Sequence, residues 1–414
     1  MDLPGLLLCT AVTSFDSSPT LNVWRALLAL AVVFVMLGTS GWTAVRGHQV
    51  STEPRAVALA AWAKGTLDGE KLPAPDTSAR RMARFFASLT ATERTDLARR
   101  YPLVVGNLNG APIPLRYEAN RLALVEARDT ERARMHDARL TPDGRQGAGR
   151  RMHRYESLLD GDRQILAFDP SDSGRVAEVF GDLEHAERIS MVVPGVDTNV
   201  MTFEKTSRKY SAPVGMAQSL YAAERAAGPR TRTAVIAWAD YTTPAGLGID
   251  SAIGRLAEDG AVRLDKLVRA LPGNAPVSLF CHSYGSVLCG VAAHRLPPRV
   301  VDIAVAGSPG MRTQSASHLG TSARVWAMRD RDDWIEDVPH LDVAGLGHGA
   351  DPVSSGFGAR VLSAAGAVGH AGYFEPGTQS LANFAAIGVG SYDSVSCLKG
   401  NSACQRGISG ADAA

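Results

Sequence analysis

Residues 277–290 read Val-Ser-Leu-Phe-Cys-His-Ser-Tyr-Gly-Ser-Val-Leu-Cys-Gly. Val277, Leu279 and Phe280 suit a buried strand, the chain turns abruptly at Ser283, and small residues then open an Ala/Val-rich helix that ends by Pro297. A serine at such a strand-to-helix corner carries its hydroxyl above the sheet, and the next backbone N–H faces the same space. Strand and helix backbones nearly touch there, so small residues are needed two places either side of the serine. Gly285 meets this requirement downstream, whereas Cys281 stands where a glycine is usual upstream. Cys281 and Cys289 are expected to pack as small hydrophobes.

Outward from this turn, short apolar runs alternate with helical patterns: 165–168, 189–193, 234–238, 277–280, 301–306 and 324–328. Leu264, Leu267, Val268 and Leu271 recur at i, i+3, i+4, i+7, the pattern of an amphipathic crossover helix. Such alternation implies a mostly parallel sheet covered by helices, with ligands at the carboxyl ends of its strands. Residues 50–160 are instead helical in character. Thr90 and Glu93 have capping-box spacing, a helix opens near Arg116, and Thr141-Pro-Asp-Gly144 ends it before a Gly/Arg stretch expected to be mobile.

A serine hydroxyl is a poor nucleophile at neutral pH and needs a histidine base, itself oriented by a carboxylate. On this kind of sheet the acid and then the histidine follow the serine, each after a later strand. Asp330, Asp332 and Asp333 lie beyond the 324–328 strand; Asp333 is favoured because Trp334 and Ile335 would bury it, and Asp332 is the rival. His370 follows a last strand at 359–363 and a glycine-bearing loop, and a helix over 379–387 comes next. His348 is the alternative, His318 and His340 lack this context, and the His282 side chain should point away from Ser283. An oxyanion needs two N–H donors: Tyr284 after the serine, and Val196 in the Pro194-Gly195-Val196 loop after the 189–193 run.

The 414 residues carry a formal net charge of +1, which provides no field for drawing in nucleic acid, and the arginine clusters at 80–100 and 145–154 read as solvated helix faces. The stretch 26–45 has no charge and is read, over 21–46, as a transmembrane helix or signal anchor preceded by a polar tail at 1–20. Translation starting nearer Val23 is the other reading of that tail. Arg46, Arg55 and Lys64 after the stretch, against Arg25 before it, weakly favour a cytoplasmic C-terminal side. Cys397 and Cys404 are spaced to close a short loop as a disulfide, which requires an oxidising compartment; two free thiols are the alternative. No cysteine or histidine spacing suits a metal.

Together these residues resemble an actinobacterial α/β-hydrolase family built around a domain of unknown function. The likeness runs from about residue 100 to 390. It includes Val-Gly-Asn-Leu-Asn-Gly-Ala-Pro at 105–112 with Arg116, Asn120 and Arg121, and Leu-Ala-Phe-Asp-Pro at 166–170 with Val-Pro-Gly at 193–195. It continues through His-Ser-Tyr-Gly-Ser at 282–286, Ala-Gly-Ser-Pro-Gly at 306–310, Asp351-Pro352 with Phe357, and Gly369-His370 with Tyr373-Phe374. The resemblance implies an α/β-hydrolase fold and carries Ser283, Asp333 and His370 over as a triad; Cys281, the Asp332-Asp333-Trp334 crowding and the hydrophobic N-terminus depart from the family pattern.

The expected architecture is therefore an α/β-hydrolase domain at 161–395, a helical region at 50–160 and a flexible tail at 396–414. The expected activity is a serine hydrolase cleaving an acyl ester through an acyl-enzyme, without cofactor or metal. Its partners would be a small-molecule or lipid-like acyl substrate and a membrane reached through the N-terminal helix, with no nucleic acid. The expected location is membrane-anchored or exported; the basic residues after the 26–45 stretch weakly favour a cytoplasmic hydrolase domain, and the Cys397/Cys404 spacing is set against them in favour of an extracytoplasmic one. Amide or peptide hydrolysis on the same fold, and a catalytically inactive membrane-tethered binding module, are the alternatives.

Overall fold

The computed structural model describes residues 53–343, 345–398 and 403–408. The 21–46 hydrophobic segment and the 1–20 tail lie outside the described residues. Among the described residues no helix is long and apolar enough to cross a membrane.

The chain enters through α1 (Pro54–Ala63), a small hairpin of β1 (Thr66–Leu67) and β2 (Glu70–Lys71), and then α2 (Ala79–Ser88), α3 (Ala91–Arg100) and α4 (Pro102–Val105). The capping box at α3 forms in both directions, Glu93 N–H to Thr90 Oγ1 and Thr90 N–H to the Glu93 carboxylate. Two long helices follow, α5 (Ile113–Met135) and α6 (Pro142–Leu159). The latter occupies the stretch expected to be mobile: Thr141 caps it by accepting the Gly144 N–H, and Tyr155 and Leu158 bury one face despite the glycines.

An eight-stranded sheet holds the rest. Its strands are β3 (Gln164–Asp169), β4 (Arg175–Phe180), β5 (Arg188–Val193), β6 (Thr233–Ala239), β7 (Val277–His282), β8 (Val300–Ala306), β9 (Arg324–Met328) and β12 (Arg360–Val361), in the order β12-β9-β8-β7-β5-β6-β4-β3. Pairings from β12 to β6 are parallel, and β4 runs antiparallel to both β6 and β3. A second hairpin, β10 (Asp342–Val343) with β11 (Leu346–Gly347), lies in the loop between β9 and β12. The covering helices include α7 (Pro213–Ala227), the short α8 (Ile249–Ala252), α9 (Arg255–Ala270), α10 (Tyr284–Ala292) and α11 (Gln379–Val389). The 264–271 periodicity falls on α9 and its exit, where Leu264, Leu267, Val268 and Leu271 are all buried.

Helices α5 and α6 pack on the sheet; no residue of either lines the space above Ser283. Two asparagines of the family-like segment fix that packing. Asn120 Nδ2 donates to the Gly106 and Ile165 carbonyls, and Asn107 pairs with both N–H and C=O of Phe168, so each satisfies backbone that would otherwise be orphaned.

All four described cysteines are bridged. Cys281 and Cys289 form a disulfide instead of packing as free thiols: the extended strand and the first two turns of α10 bring their Cα atoms to 6.6 Å across eight residues. Cys397 and Cys404 form the second, and both are buried in the core beneath β12. Residues 396–398 and 403–408 are therefore packed against the domain, unlike a flexible tail.

Closing an eight-residue loop at Cys281–Cys289 should contribute about 2–3 kcal/mol by chain-entropy arithmetic. Of the chain's five cysteines, alkylation under denaturing, non-reducing conditions should modify Cys9 alone and, after reduction, all five. Additional adducts before reduction in protein from an oxidising compartment would show a bridge to be missing.

Candidate active site

Ser283 joins β7 to α10 with φ 55° and ψ −129°. A non-glycine residue there costs on the order of 1–3 kcal/mol and persists only where its surroundings hold it. The Ser283 N–H donates to Ala306 O on β8, while its carbonyl accepts from Ser286 N–H and Oγ. Gly285 is obligatory, since a Cβ there would lie 2.3 Å from Val193 O and 2.7 Å from Pro194 O. Cys281, the upstream small residue, is occupied by its bridge to Cys289, so the side chain that departs from the usual glycine covalently ties strand to helix.

Three loops from the carboxyl end of the sheet converge on this serine. His370 Nε2 lies 2.8 Å from Ser283 Oγ, and His370 Nδ1 lies 2.8 Å from Asp333 Oδ1. A carboxylate only accepts, so Nδ1 carries the proton and the Nε2 lone pair receives the serine hydroxyl. Asp333 is 2% exposed; it also accepts from Ile335 N–H and from the Tyr373 hydroxyl. Burial alone would raise its carboxyl pKa, but the hydrogen bonds from His370 and Tyr373 and the histidine charge outweigh burial and hold it below 3.8.

The neighbouring carboxylates do other work. The Asp332 side chain is 72% exposed and borders Arg331. Asp330 accepts the Gly369 N–H at 2.8 Å and so anchors the histidine loop. Gly307, after β8, forms the floor: a Cβ there would meet Asp333 Oδ2 at 2.8 Å and the His370 ring at 3.1 Å. His348 and His340 do not reach Ser283. The Nε2–H of His348 donates to Ser251 O at 2.6 Å, and Nδ1 of His340 donates to Pro309 O at 3.1 Å; His318 is exposed.

Two participants were not legible as such. Tyr373, three residues past His370, bridges Asp333 and the Asp330 N–H; the spacing was visible, but only the folded loop turns the ring inward. His282 does point away from the nucleophile, yet its Nε2–H donates to His370 O at 2.6 Å and the two rings lie 4.8 Å apart. Burial, reinforced by the neighbouring His370 charge, pushes its pKa down to about 3, so it stays neutral.

Val196 and Tyr284 both line a cavity of about 300 Å³ that opens above Ser283. Tyr284 is the first residue of α10, where N–H groups have no intrahelical partner. Gly195 lets the other loop come close: a Cβ there would lie 2.6 Å from Ser283 Cβ. The remaining walls are largely apolar, with Leu247, Ala252, Trp334, Ile335, Val338 and Pro339. No cluster of metal-binding side chains occurs among the described residues.

This geometry coincides with a family match. Residues 169–343 fit the model of the alpha/beta hydrolase family, and the chain therefore carries an alpha/beta-hydrolase domain. An uncharacterized protein of Mycobacterium tuberculosis is 27% identical over 385 residues, covering 78% of this chain and 58% of its own length. Another, from Mycobacterium bovis, is 34% identical over 164 residues, 38% of this chain and 60% of its own. The chain thus spans less than two thirds of the curated relatives it matches. Among solved structures, a protein of unknown function from Agrobacterium tumefaciens covers 43% of this chain and 73% of its own, at TM-score 0.28 and 9% identity. The 2,6-dihydroxy-pseudo-oxynicotine hydrolase covers 67% and 81%, at 0.27 and 11%. Likeness of that size has no bearing on substrate.

The depressed pKa of His282 has a sign that can be tested. Its folded value near 3 lies below the unfolded 6.5, so the unfolded chain binds the extra proton, and stability falls as pH drops from 6.5 toward 3. Between pH 6.5 and 5 that loss is on the order of 2 kcal/mol. His282→Gln should remove this share in urea titrations at the two pH values; an equal loss in both proteins would contradict the assignment.

Proposed function

We propose that the chain is a serine hydrolase that cleaves an acyl ester through an acyl-enzyme intermediate. The observation that carries the reading is the continuous hydrogen-bonded series from Ser283 Oγ through the His370 ring to Asp333. Ser283 attacks the ester carbonyl as its proton passes to His370 Nε2, and Asp333 stabilises the resulting imidazolium. The Tyr284 and Val196 N–H groups receive the oxyanion. Collapse expels the alcohol, protonated by His370, and leaves the acyl group on Ser283; water activated by the same histidine then releases the acid and restores the serine. No cofactor enters any of these steps.

An ester with an apolar acyl group is favoured by the largely apolar walls of the cavity. The reading as an inactive binding module rested on Cys281 as the mark of a relaxed turn. Against it, Ser283 keeps its left-handed backbone and a histidine within hydrogen-bonding distance, and Cys281 is engaged in a bridge that tightens the turn. Two disulfides fit an oxidising, extracytoplasmic compartment, and we place the domain there. The uncharged 26–45 stretch would then serve as its tether or export signal.

A fluorophosphonate probe should label the wild-type protein at Ser283, and Ser283→Ala should abolish labelling. Hydrolysis of short p-nitrophenyl esters should fall by about 10³-fold or more in Ser283→Ala and His370→Ala. Folded wild-type protein that resists the probe, or labelling that survives Ser283→Ala, would remove the basis for the enzyme reading.

A further inference from the structure

Five of the nine large apolar side chains exposed among the described residues lie in three segments around the mouth of the Ser283 cavity. Leu247 (72% exposed) and Ile249 (57%) belong to the loop and short helix α8, Trp334 (43%) follows β9, Leu341 (60%) precedes β10, and Leu346 (52%) opens β11. The same segments supply the cavity walls through Ser251 and Ala252, Ile335 and Val338, and Gly347 and His348. They are cross-tied, since His348 donates to Ser251 O and Arg312 donates to the Gly345 and Gly347 carbonyls. A sixth exposed side chain, Val368 (79%), is two positions before His370. Scattered apolar residues need no explanation, but a set concentrated around one opening does.

The charges of the same segments narrow down what could cover this rim. Asp250, Asp332, Glu336, Asp337 and Asp342 are exposed; exposed Arg331 lies beside Asp332, half-buried Arg329 lies between Glu336 and Asp351, and Arg312 is half-buried on backbone carbonyls, so acidic groups remain in excess. An acidic rim repels an anionic surface. A protein partner or a second copy seated on the rim would close the opening to Ser283. An uncharged lipid surface would leave it open and feed it, because the apolar rim continues into the apolar walls.

The geometry points to docking of this mouth on an uncharged lipid–water surface, from which an ester lipid passes directly to Ser283. The proposal rests on the ester-hydrolase reading for its catalytic consequence, but the docking itself can be measured without turnover. Contact energy comes from removing the exposed Leu247, Ile249, Trp334, Leu341 and Leu346 side chains from water. Partial immersion of several is enough for reversible binding.

Two measurements on the full chain test it. In the first, full-length Ser283→Ala protein is mixed with vesicles of brominated phosphatidylcholine, a contact quencher of tryptophan, and compared with the same protein carrying Trp334→Phe. A quenched component that Trp334→Phe removes is expected, together with weaker quenching by brominated phosphatidylglycerol at low salt. Equal quenching with and without Trp334 overturns the proposal, as does stronger binding to the anionic vesicles or a dimer that shields Trp334 from both. In the second, hydrolysis of tributyrin is followed across its solubility limit beside soluble p-nitrophenyl acetate. The Leu341→Ser/Leu346→Ser variant should lose at least fivefold on the emulsion while keeping its acetate rate and fluorophosphonate labelling. Loss of both rates together, or of neither, overturns the docking role of the hairpin. Absence of all ester turnover would refute the ester reading and leave the quenching result to decide docking.

Discussion

Everything at this site depends on how closely the β7–α10 turn can be pressed against the β5 loop. Gly285 lies under the Val193 and Pro194 carbonyls, Gly195 lies against the Ser283 side chain, and neither position has room for a Cβ. That contact holds Ser283 in a left-handed backbone conformation it would not otherwise keep, and it brings Val196 and Tyr284 to one cavity. Hydrogen bonds from β8 and from Ser286 supply local restraint, and the Cys281–Cys289 bridge supplies a covalent one. A residue that looked like a defect in the turn is thus one of its fasteners.

The second half of the site is organised around the backbone of the histidine loop as much as around its imidazole. Asp330 holds the Gly369 N–H, His282 holds the His370 carbonyl, and Asp333 holds Nδ1, with Tyr373 linking the Asp330 backbone to the Asp333 carboxylate. These contacts come from the ends of two strands, β7 and β9, so the loop cannot shift without breaking several at once. Precise placement of a base is worth orders of magnitude in rate, and restraint of this kind is how a fold delivers it.

Much of this was legible in the sequence because it is a matter of order and periodicity. Apolar runs marked β3 and β5 to β9, the i, i+3, i+4, i+7 leucines and valine marked α9, and the rule that acid precedes histidine led to Asp333 and His370, which the fold brings together beside Ser283. Strand β4 was missed because Arg175 and Glu178 interrupt its apolar pattern; Glu178 is buried only by pairing with Arg163, a contact made across space. Helix α6 was misread because three glycines lowered its propensity, and tertiary burial of Tyr155 and Leu158 overrode them. The Cys281–Cys289 bridge was hidden because each cysteine sits in an apolar run where burial is explanation enough, and an eight-residue spacing says little until a strand and a helix fold it back. The roles of His282 and Tyr373 are contacts to backbone and carboxylate, and such contacts leave no mark on composition.

Two imidazoles lie in ring contact beside Ser283, and the buried one, His282, is held neutral. His282 spends its N–H on a carbonyl and is kept neutral by its surroundings, so it adds no positive charge beside the His370 ring. In the proposed reaction, a proton leaving Ser283 would therefore have a single destination, His370. A second basic nitrogen a few ångströms away would ordinarily make that transfer ambiguous; here the fold has removed the choice before any substrate arrives.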